Sequence, residues 1–389
     1  MSWYEEQVRQ GLTFDMQQEL EKYCTGDVDI LLQAVMTFRD LFLQMTSVDP
    51  FTRAITTPAA CMEAYRLHFL PREYQLALIP GRRPLVKQSI RAQEWLSFMR
   101  VSKYSDLLSS RNYLNGEVRI ANLHVDGYSP STKTILEFLG CYWHGCPSCH
   151  PDREKVVRHG PIMTAEQVHQ EWMRRFEALK RLGFNVNYIW ECTFVEMQKQ
   201  DEELRRRCLK VRKLITRFGQ LQPGDALFGG RTDAMRQWAE SNGKNSKIGY
   251  LDVNSLYPYV LKNSRFPIGE PCIILGEDLD IEEFVNNIEQ YEGVVKCLIL
   301  PPQQLLLPIL PYKCDKGTTF CLCHTCAEMP LTEEDDSYCY HVKQEERALL
   351  GTWDVREVEM ALQKGYQLLE LGEILQFDKT AKRIQKQES

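Results

Sequence analysis

The chain has 389 residues, of which 43% are hydrophobic and 26% charged. That is enough for two or three domains with cores of their own, at an ordinary globular composition. No apolar run nears the roughly 18 residues that span a bilayer, and the first residues lack a secretory pattern. We therefore expect an intracellular protein with no membrane partner, the nucleus being one compartment open to it. A formal net charge of −6 excludes a uniformly basic DNA-coating protein. It does not exclude DNA binding, which depends on local charge.

Asp15 is placed to cap a short helix ending near Cys24-Thr25-Gly26. A longer helix is expected from Asp27, because Val28, Leu31, Leu32, Val35, Phe38, Phe42 and Met45 recur at three and four residues and predict one broad buried face. Ser89–Met99 reads as another helix, and the polar stretch 102–114 as a connector.

From Arg119 the period changes to two, and a strand is expected to run to Asp126-Gly127. After a turn at 130–133, a second strand over 134–139 carries Glu137. Two carboxylates on adjacent strands are a minimal cation site, although such pairs are also common on surfaces. Thr164 and Gln167 form a capping box for a helix burying Val168, Trp172, Phe176 and Leu179 and ending at Gly183. Val186, Tyr188 and Trp190 then alternate in a strand that stops at Glu191-Cys192.

The 14 cysteines are bunched rather than spread, and clustered thiols in a reducing compartment read first as zinc ligands. Cys192 can return to Cys141, Cys146 and Cys149 to complete a tetrahedral thiolate site, with His144 and His150 as competing ligands. Downstream, Cys323-x-x-Cys326 followed by Cys339-x-His341 has knuckle spacing, with Cys314 and Cys321 as alternates. Glu333, Asp335 and Asp336 make that loop polar, which argues against core thiols.

Residues 201–218 read as a charged helix, followed by a break at Pro223-Gly224. Arg174, Arg175, Lys180 and Arg181 form one basic patch, and Arg205, Arg206, Arg207, Lys210, Arg212, Lys213 and Arg217 another; each reads equally as a DNA-facing surface or a solvated helix face. The apolar run 247–251 is expected to be a strand that holds Asp252 at its mouth, with a helix starting around Pro258. A strand over 292–300 and a helix over 354–364 complete the chain, and 378–389 is charged.

Asp252-x-x-Ser255-Leu256-Tyr257-Pro258 resembles the first polymerase motif of family B DNA polymerases, and the continuation Lys262–Gly269 resembles their protein-primed branch in viruses, organellar plasmids and large DNA transposons. The resemblance implies that Asp252, with the Val253 carbonyl, binds the two Mg2+ of nucleotidyl transfer, and that Tyr257 lies under the sugar of the incoming deoxynucleoside triphosphate. It implies DNA and a terminal priming protein as partners. Leu227-Phe228-Gly229-Gly230-Arg231 resembles the family's Gly-Gly linker, with backbone amides approaching a DNA phosphate and Arg231 as a charge partner. Tyr23 and Asp27 resemble the last motif of the family's 3′–5′ exonuclease, whose earlier motifs do not occur here.

Gly140-Cys141-Tyr142-Trp143-His144 and Trp190-Glu191-Cys192 resemble very-short-patch repair endonucleases, which are restriction-like nucleases. That likeness implies structural zinc on Cys141 and Cys192, metal at Asp126, and catalysis by His144. Glu137-Phe138-Leu139 lacks the Lys of a D…E-x-K site, and Cys146 and Cys149 replace a His-rich stretch.

The reading is an α+β chain in three parts: an exonuclease-like tail (1–115), a zinc-bearing restriction-endonuclease-like insert (116–200), and the start of a polymerase palm (201–389) with a zinc knuckle at 314–341. A second palm carboxylate and a triphosphate-binding Lys helix do not occur downstream of Asp252, so we expect a fragment unable to polymerise alone. The alternatives are a metal-dependent DNA endonuclease using Asp126, Glu137 and His144, and a non-catalytic, zinc-stabilised DNA-binding remnant.

Overall fold

The structure is a computed structural model that describes all residues except 1, 12–14, 69–81, 160–161, 233, 235, 237, 244–245, 330–338 and 382–389. It has two compact units, residues 1–75 with 382–389, and residues 76–381. Helices and small sheets are interspersed throughout the second, an α+β arrangement.

In the first unit, helix α1 (Ser2–Arg9) precedes α2 (Met16–Thr46), followed by α3 (Pro50–Arg53) and α4 (Thr57–His68). Asp15 accepts from the N–H groups of Gln17 and Gln18, capping α2 as expected. The helix does not break at Gly26: one interior glycine costs only about 1 kcal/mol, and 31 residues absorb it. Nor is a broad face buried; among the described residues α2 has no buried side chain. Phe38 packs its ring tilted against Phe42 at 5.6 Å and edge-on to Phe51 at 6.3 Å, but four helices of this size cannot cover so long a stripe.

The second unit opens with helix α5 (Ile90–Ser102), capped by Ser89. Strands β1 (Leu108–Ser109), β2 (Val118–Ile120), β3 (Leu123–Val125), β4 (Gly127–Ser129) and β5 (Thr134–Leu139) follow. After the β6–β7 hairpin (Val156–His159, Ile162–Thr164) come helix α6 (Ala165–Arg181), strand β8 (Asn185–Trp190) and helix α7 (Glu191–Gln200). The strands β1-β4-β5-β8 form one sheet. The first three are antiparallel and β8 joins parallel to β5, with α6 as the crossover. All six residues of β5 are buried because both faces of the sheet are covered. Leu136 and Phe138 pack under α5 and α7; Ile135 packs under α6 and the β2–β3 hairpin. Glu137 therefore shares the α6 side with Ile135.

Two expectations fail here. The strand expected over 119–126 is a hairpin, because Ala121 and Asn122 take left-handed φ of 47° and 64° and turn the chain back on itself. The expected connector at 102–114 is a packed element: Leu107 and Arg111 are buried and Asn112 braces Ser109.

Helix α8 (Glu202–Phe218) is capped by Asp201 and leads into a 3-10 turn at Pro223–Ala226. Then come α9 (Leu256–Asn263), β9 (Phe266–Ile268), β10 (Cys272–Leu275), α10 (Ile281–Asn286), β11 (Gly293–Leu300), β12 (Pro311–Cys314), β13 (Gly317–Phe320), α11 (His324–Glu328), α12 (Gln344–Arg347), β14 (Leu349–Asp354), α13 (Val355–Gln363), β15 (Gln367–Gln376) and β16 (Lys379–Ala381). Strands β10-β15-β11-β14 make an antiparallel sheet. One large core, from Phe284 on α10 through Val295, Trp353 and Val358 to Ile374, packs its strands against α10 and α13.

Helix α8 joins the two sheets. Its first half packs Leu204 and Cys208 into the core of the first; its second half packs Leu214 and Phe218 against Leu298 and Ala348 of the other. Its polar side is spent on ion pairs: Arg207 with Asp278, Arg212 with Glu94, and Lys213 and Arg217 with Glu370. Much of this basic patch is thus neutralised within the fold.

Candidate functional site

Three groups of residues singled out in the sequence come together in space, and two do not. The first group lies where β3 passes into β4. Asp126 stands at that junction and is held twice: Gln88 Nε2 donates to its Oδ1 at 3.1 Å, and the Phe138 amide to its Oδ2 at 2.8 Å. Gly127 beside it is closely packed: a Cβ there would lie 2.7 Å from the Leu96 side chain. The second bond crosses to β5 and brings Glu137 alongside. Burial, then the charge of Asp126, push the Glu137 carboxyl up to about 7 against the opposing pull of Arg175. Burial likewise raises Asp126.

Both carboxylates line a cavity of about 470 Å³ with Glu117, His124, His144 and Arg175. His144 enters from the cysteine loop. Its Nδ1 lies 3.3 Å from the Gly140 carbonyl, which can only accept. Arg175 reaches in from α6 and donates from Nη2 to Glu137 Oε1 at 2.8 Å and to the His124 carbonyl. Sequence reasoning placed Arg175 only in a basic patch and passed over Glu117 and His124, whose ring lies 3.3 Å from the Glu117 carboxylate. No local motif marks these residues; the hairpin turn and the helix crossover bring them in. Among the described residues Asp126 and Glu137 join no group of three potential ligands, so a Mg2+ here would rest on these two carboxylates and its own waters.

The second group adjoins the first. Cys141, Cys146, Cys149 and Cys192 converge, their sulfurs within 4.8 Å of one another. Cys146 Sγ and Cys192 Sγ are 3.7 Å apart. Zn–S bonds of about 2.3 Å imply tetrahedral edges of about 3.8 Å, so the set fits zinc. Gly145 makes the loop feasible: its φ is +62°, and a Cβ would meet the Ala165 carbonyl oxygen at 2.2 Å. Cys192 is the second residue of α7, just past the end of β8, so the tetrad ties the loop bearing His144 to the sheet. His144 and His150, weighed as ligands, are outside the tetrad.

The third group is Cys323, Cys326, Cys339 and His341. The three sulfurs lie 3.5, 3.3 and 3.6 Å from His341 Nδ1, against about 3.5 Å for an S···N edge of a zinc tetrahedron. Burial draws the Cys339 thiol up, but the His341 amide and ring bring it to about 7. Cys314 and Cys321 are not members; the Cys314 thiol instead donates to the Gly317 carbonyl. Glu333, Asp335 and Asp336 of the intervening loop lie outside the described residues. The β12–β13 hairpin leads into this tetrad and grips the glycine loop. Arg231 sits 4.5 Å over the Phe320 ring and donates to the Pro308 carbonyl at 2.7 Å, while Lys313 sits 4.6 Å over Phe228. Gly229 and Gly230 between them are exposed, with nothing within 4 Å of an added Cβ.

Asp252 is not at the mouth of a strand. Residues 246–253 have no regular structure and Leu251 is 96% exposed; the sheet β10-β15-β11-β14 takes no strand from this run. The helix expected at Pro258 does form, as α9, bearing an exposed Tyr257. Among the described residues Asp252 joins no group of three potential ligands, so a two-magnesium site does not fit them. The Val253 carbonyl belongs to the same exposed run. Tyr23 and Asp27 lie a turn apart on α2, both exposed, and Asp27 likewise joins no such group.

Comparison with known proteins identifies one segment. Residues 225–385 match the family of DNA polymerase type B, organellar and viral. This segment, similar to DNA polymerases that use divalent metal, holds Gly229, Gly230, Arg231, Asp252, Tyr257 and the cysteine–histidine tetrad. No curated protein and no solved structure matches the chain. No described helix is long and apolar enough to cross a membrane.

Proposed function

We propose that the chain acts in DNA replication as part of a protein-primed family B DNA polymerase of a mobile or virus-like element. The observation that carries this is the match of residues 225–385 to type B polymerases, with Asp252-x-x-Ser255-Leu256-Tyr257-Pro258 inside it. In this reading Asp252 supplies one carboxylate to the metals and Tyr257 packs under the deoxyribose. The Gly229-Gly230 loop, braced by the β12–β13 hairpin, leaves backbone amides open to a DNA phosphate. DNA, deoxynucleoside triphosphates and a priming protein are its partners, inside the cell. Among the described residues no group of three potential ligands includes Asp252, so metal chemistry there needs further carboxylates brought to it. A photoreactive deoxynucleotide, with Mg2+ and primer–template DNA, is expected to label the peptide around Tyr257. Labelling confined to other peptides argues against the reading.

A specific observation favours a second activity in the same chain: Asp126, Glu137 and His144 share one cavity on a sheet entered by α5 and crossed by α6. This arrangement suits hydrolysis of a DNA phosphodiester. A divalent ion held there by Asp126 and Glu137 would polarise the phosphate. In this reading the His144 ring takes the proton of the attacking water, and the cysteine tetrad fixes the loop that presents it. Divalent-dependent nicking of plasmid DNA, lost in Asp126→Ala, is the expected result; no nicking with any divalent ion dismisses this activity.

A further inference from the structure

The strand that carries Glu137 has no cation two residues on. Leu139, on the same face, is fully buried in the core. The cavity nevertheless contains a fixed positive charge. Arg175 stands on α6 one turn beyond Trp172 and two beyond Val168, the residues by which the helix faces the sheet. Its guanidinium is bonded at a single nitrogen, Nη2, to Glu137 Oε1 and the His124 carbonyl. The Nε and Nη1 hydrogens take no partner among the described residues, and the side chain keeps 31% of its exposure. A guanidinium with one corner pinned and one N–H edge open suits bidentate capture of a phosphate.

We propose that Arg175 is a catalytic residue of the Asp126–Glu137 cavity, binding the scissile phosphate through its free N–H edge and supplying from a helix the positive charge that β5 lacks. The assignment rests on the nuclease reading above. The step is a hydrolysis. The water oxygen forms a bond to phosphorus while the P–O bond to the leaving sugar breaks. The water gives one proton to His144, and the leaving alkoxide takes one from solvent. Negative charge accumulates on the two non-bridging phosphate oxygens in the transition state, where a fixed bidentate donor contributes most. A surface arginine that merely neutralises Glu137 would not have this effect.

The test is nicking of supercoiled plasmid by the full chain with Mn2+ or Mg2+, comparing wild type, Asp126→Ala, Arg175→Ala and Arg175→Lys. Loss of one such donor is expected to slow nicking roughly 100-fold in Arg175→Ala. Arg175→Lys should recover only part of the rate, since an ammonium cannot bind in two-pronged fashion. Added guanidinium should partly rescue Arg175→Ala and leave Asp126→Ala inactive, an outcome a purely structural role does not produce. Arg175→Ala nicking at the wild-type rate, with Asp126→Ala dead, overturns the assignment and leaves the nuclease reading intact. Should Arg175→Ala fail to fold, a fully active Arg175→Lys overturns it equally. A wild-type chain inert with every divalent ion overturns both.

Discussion

Arg111 and Glu277 meet in a buried fork in which Nη2 donates to Oε2 at 3.0 Å and Nη1 to Oε1. Arg111 follows β1 of the first sheet; Glu277 sits in the turn after β10 of the second. Arg100 reaches the same carboxylate at 3.7 Å and Ser97 Oγ at 3.3 Å. A second tie runs parallel to it: Arg83, also buried, pairs with Glu373 on β15 at 2.8 Å and donates to the Arg111 carbonyl. The two sheets are therefore one folded body, joined by α8 and by two buried ion pairs.

Removing one partner of a buried pair strands the other charge, so Glu277→Ala is expected to destabilise residues 76–381 by roughly 3–5 kcal/mol. The effect depends on pH in a definite direction. Burial alone would raise the Glu277 carboxyl, but Arg111 and Arg100 outweigh it and hold the group below its ordinary value. A depressed carboxyl stabilises the fold above the unfolded-chain pKa and loses that contribution as pH falls through its folded value. The gap in urea midpoint between wild type and Glu277→Gln should narrow on acidification. A constant gap counts against the pair.

Glu137 has the opposite sign. With its carboxyl raised to about 7, its stabilising contribution is complete below the usual carboxylate range and is lost as pH climbs through about 7. With chelator present, Glu137→Gln should gain stability relative to wild type between pH 5 and 8. Parallel melting curves over that range would show that burial does not hold the carboxyl above its ordinary value.

Two zinc ions per chain are expected by metal analysis of protein purified without chelator. Cys192→Ser should lose one and His341→Ala the other, whereas Cys314→Ser and Cys321→Ser should lose neither. This separates the ligands that converge from the thiols that sequence spacing left as alternates.

Asp252 is exposed in an irregular segment. Asp252→Ala should leave thermal stability within about 0.5 kcal/mol of wild type. Primer extension by the purified chain alone should be undetectable, since one carboxylate does not hold two metals. Robust extension would show that the required ligands lie within the chain after all.

Much of this was legible in the sequence, for identifiable reasons. Both tetrads follow from Cys and His spacing because zinc accepts few ligand sets. The capping residues Asp15, Ser89, Thr164, Asp201 and Asp354 mark helix starts because a side-chain oxygen must meet the orphan amides there. Alternation does not show where a strand reverses: Ala121-Asn122 lacks a glycine, so the β2–β3 hairpin and its residues Glu117 and His124 were missed. Long-range charge pairing is invisible to local pattern, which is why Arg111 read as connector and Arg212 as surface. The run before Asp252 is apolar enough for a strand, but a strand needs a partner edge, and no periodicity reports one.

The most direct measurement is the affinity of the purified chain for a primer–template junction against a blunt duplex of equal length, by fluorescence anisotropy across a salt series. The account predicts tighter binding to the junction, weakening with salt as phosphate contacts are screened, and reduced when Gly229 and Gly230 are both replaced by valine. Equal affinity for the two DNAs, or no binding at low salt, would contradict it.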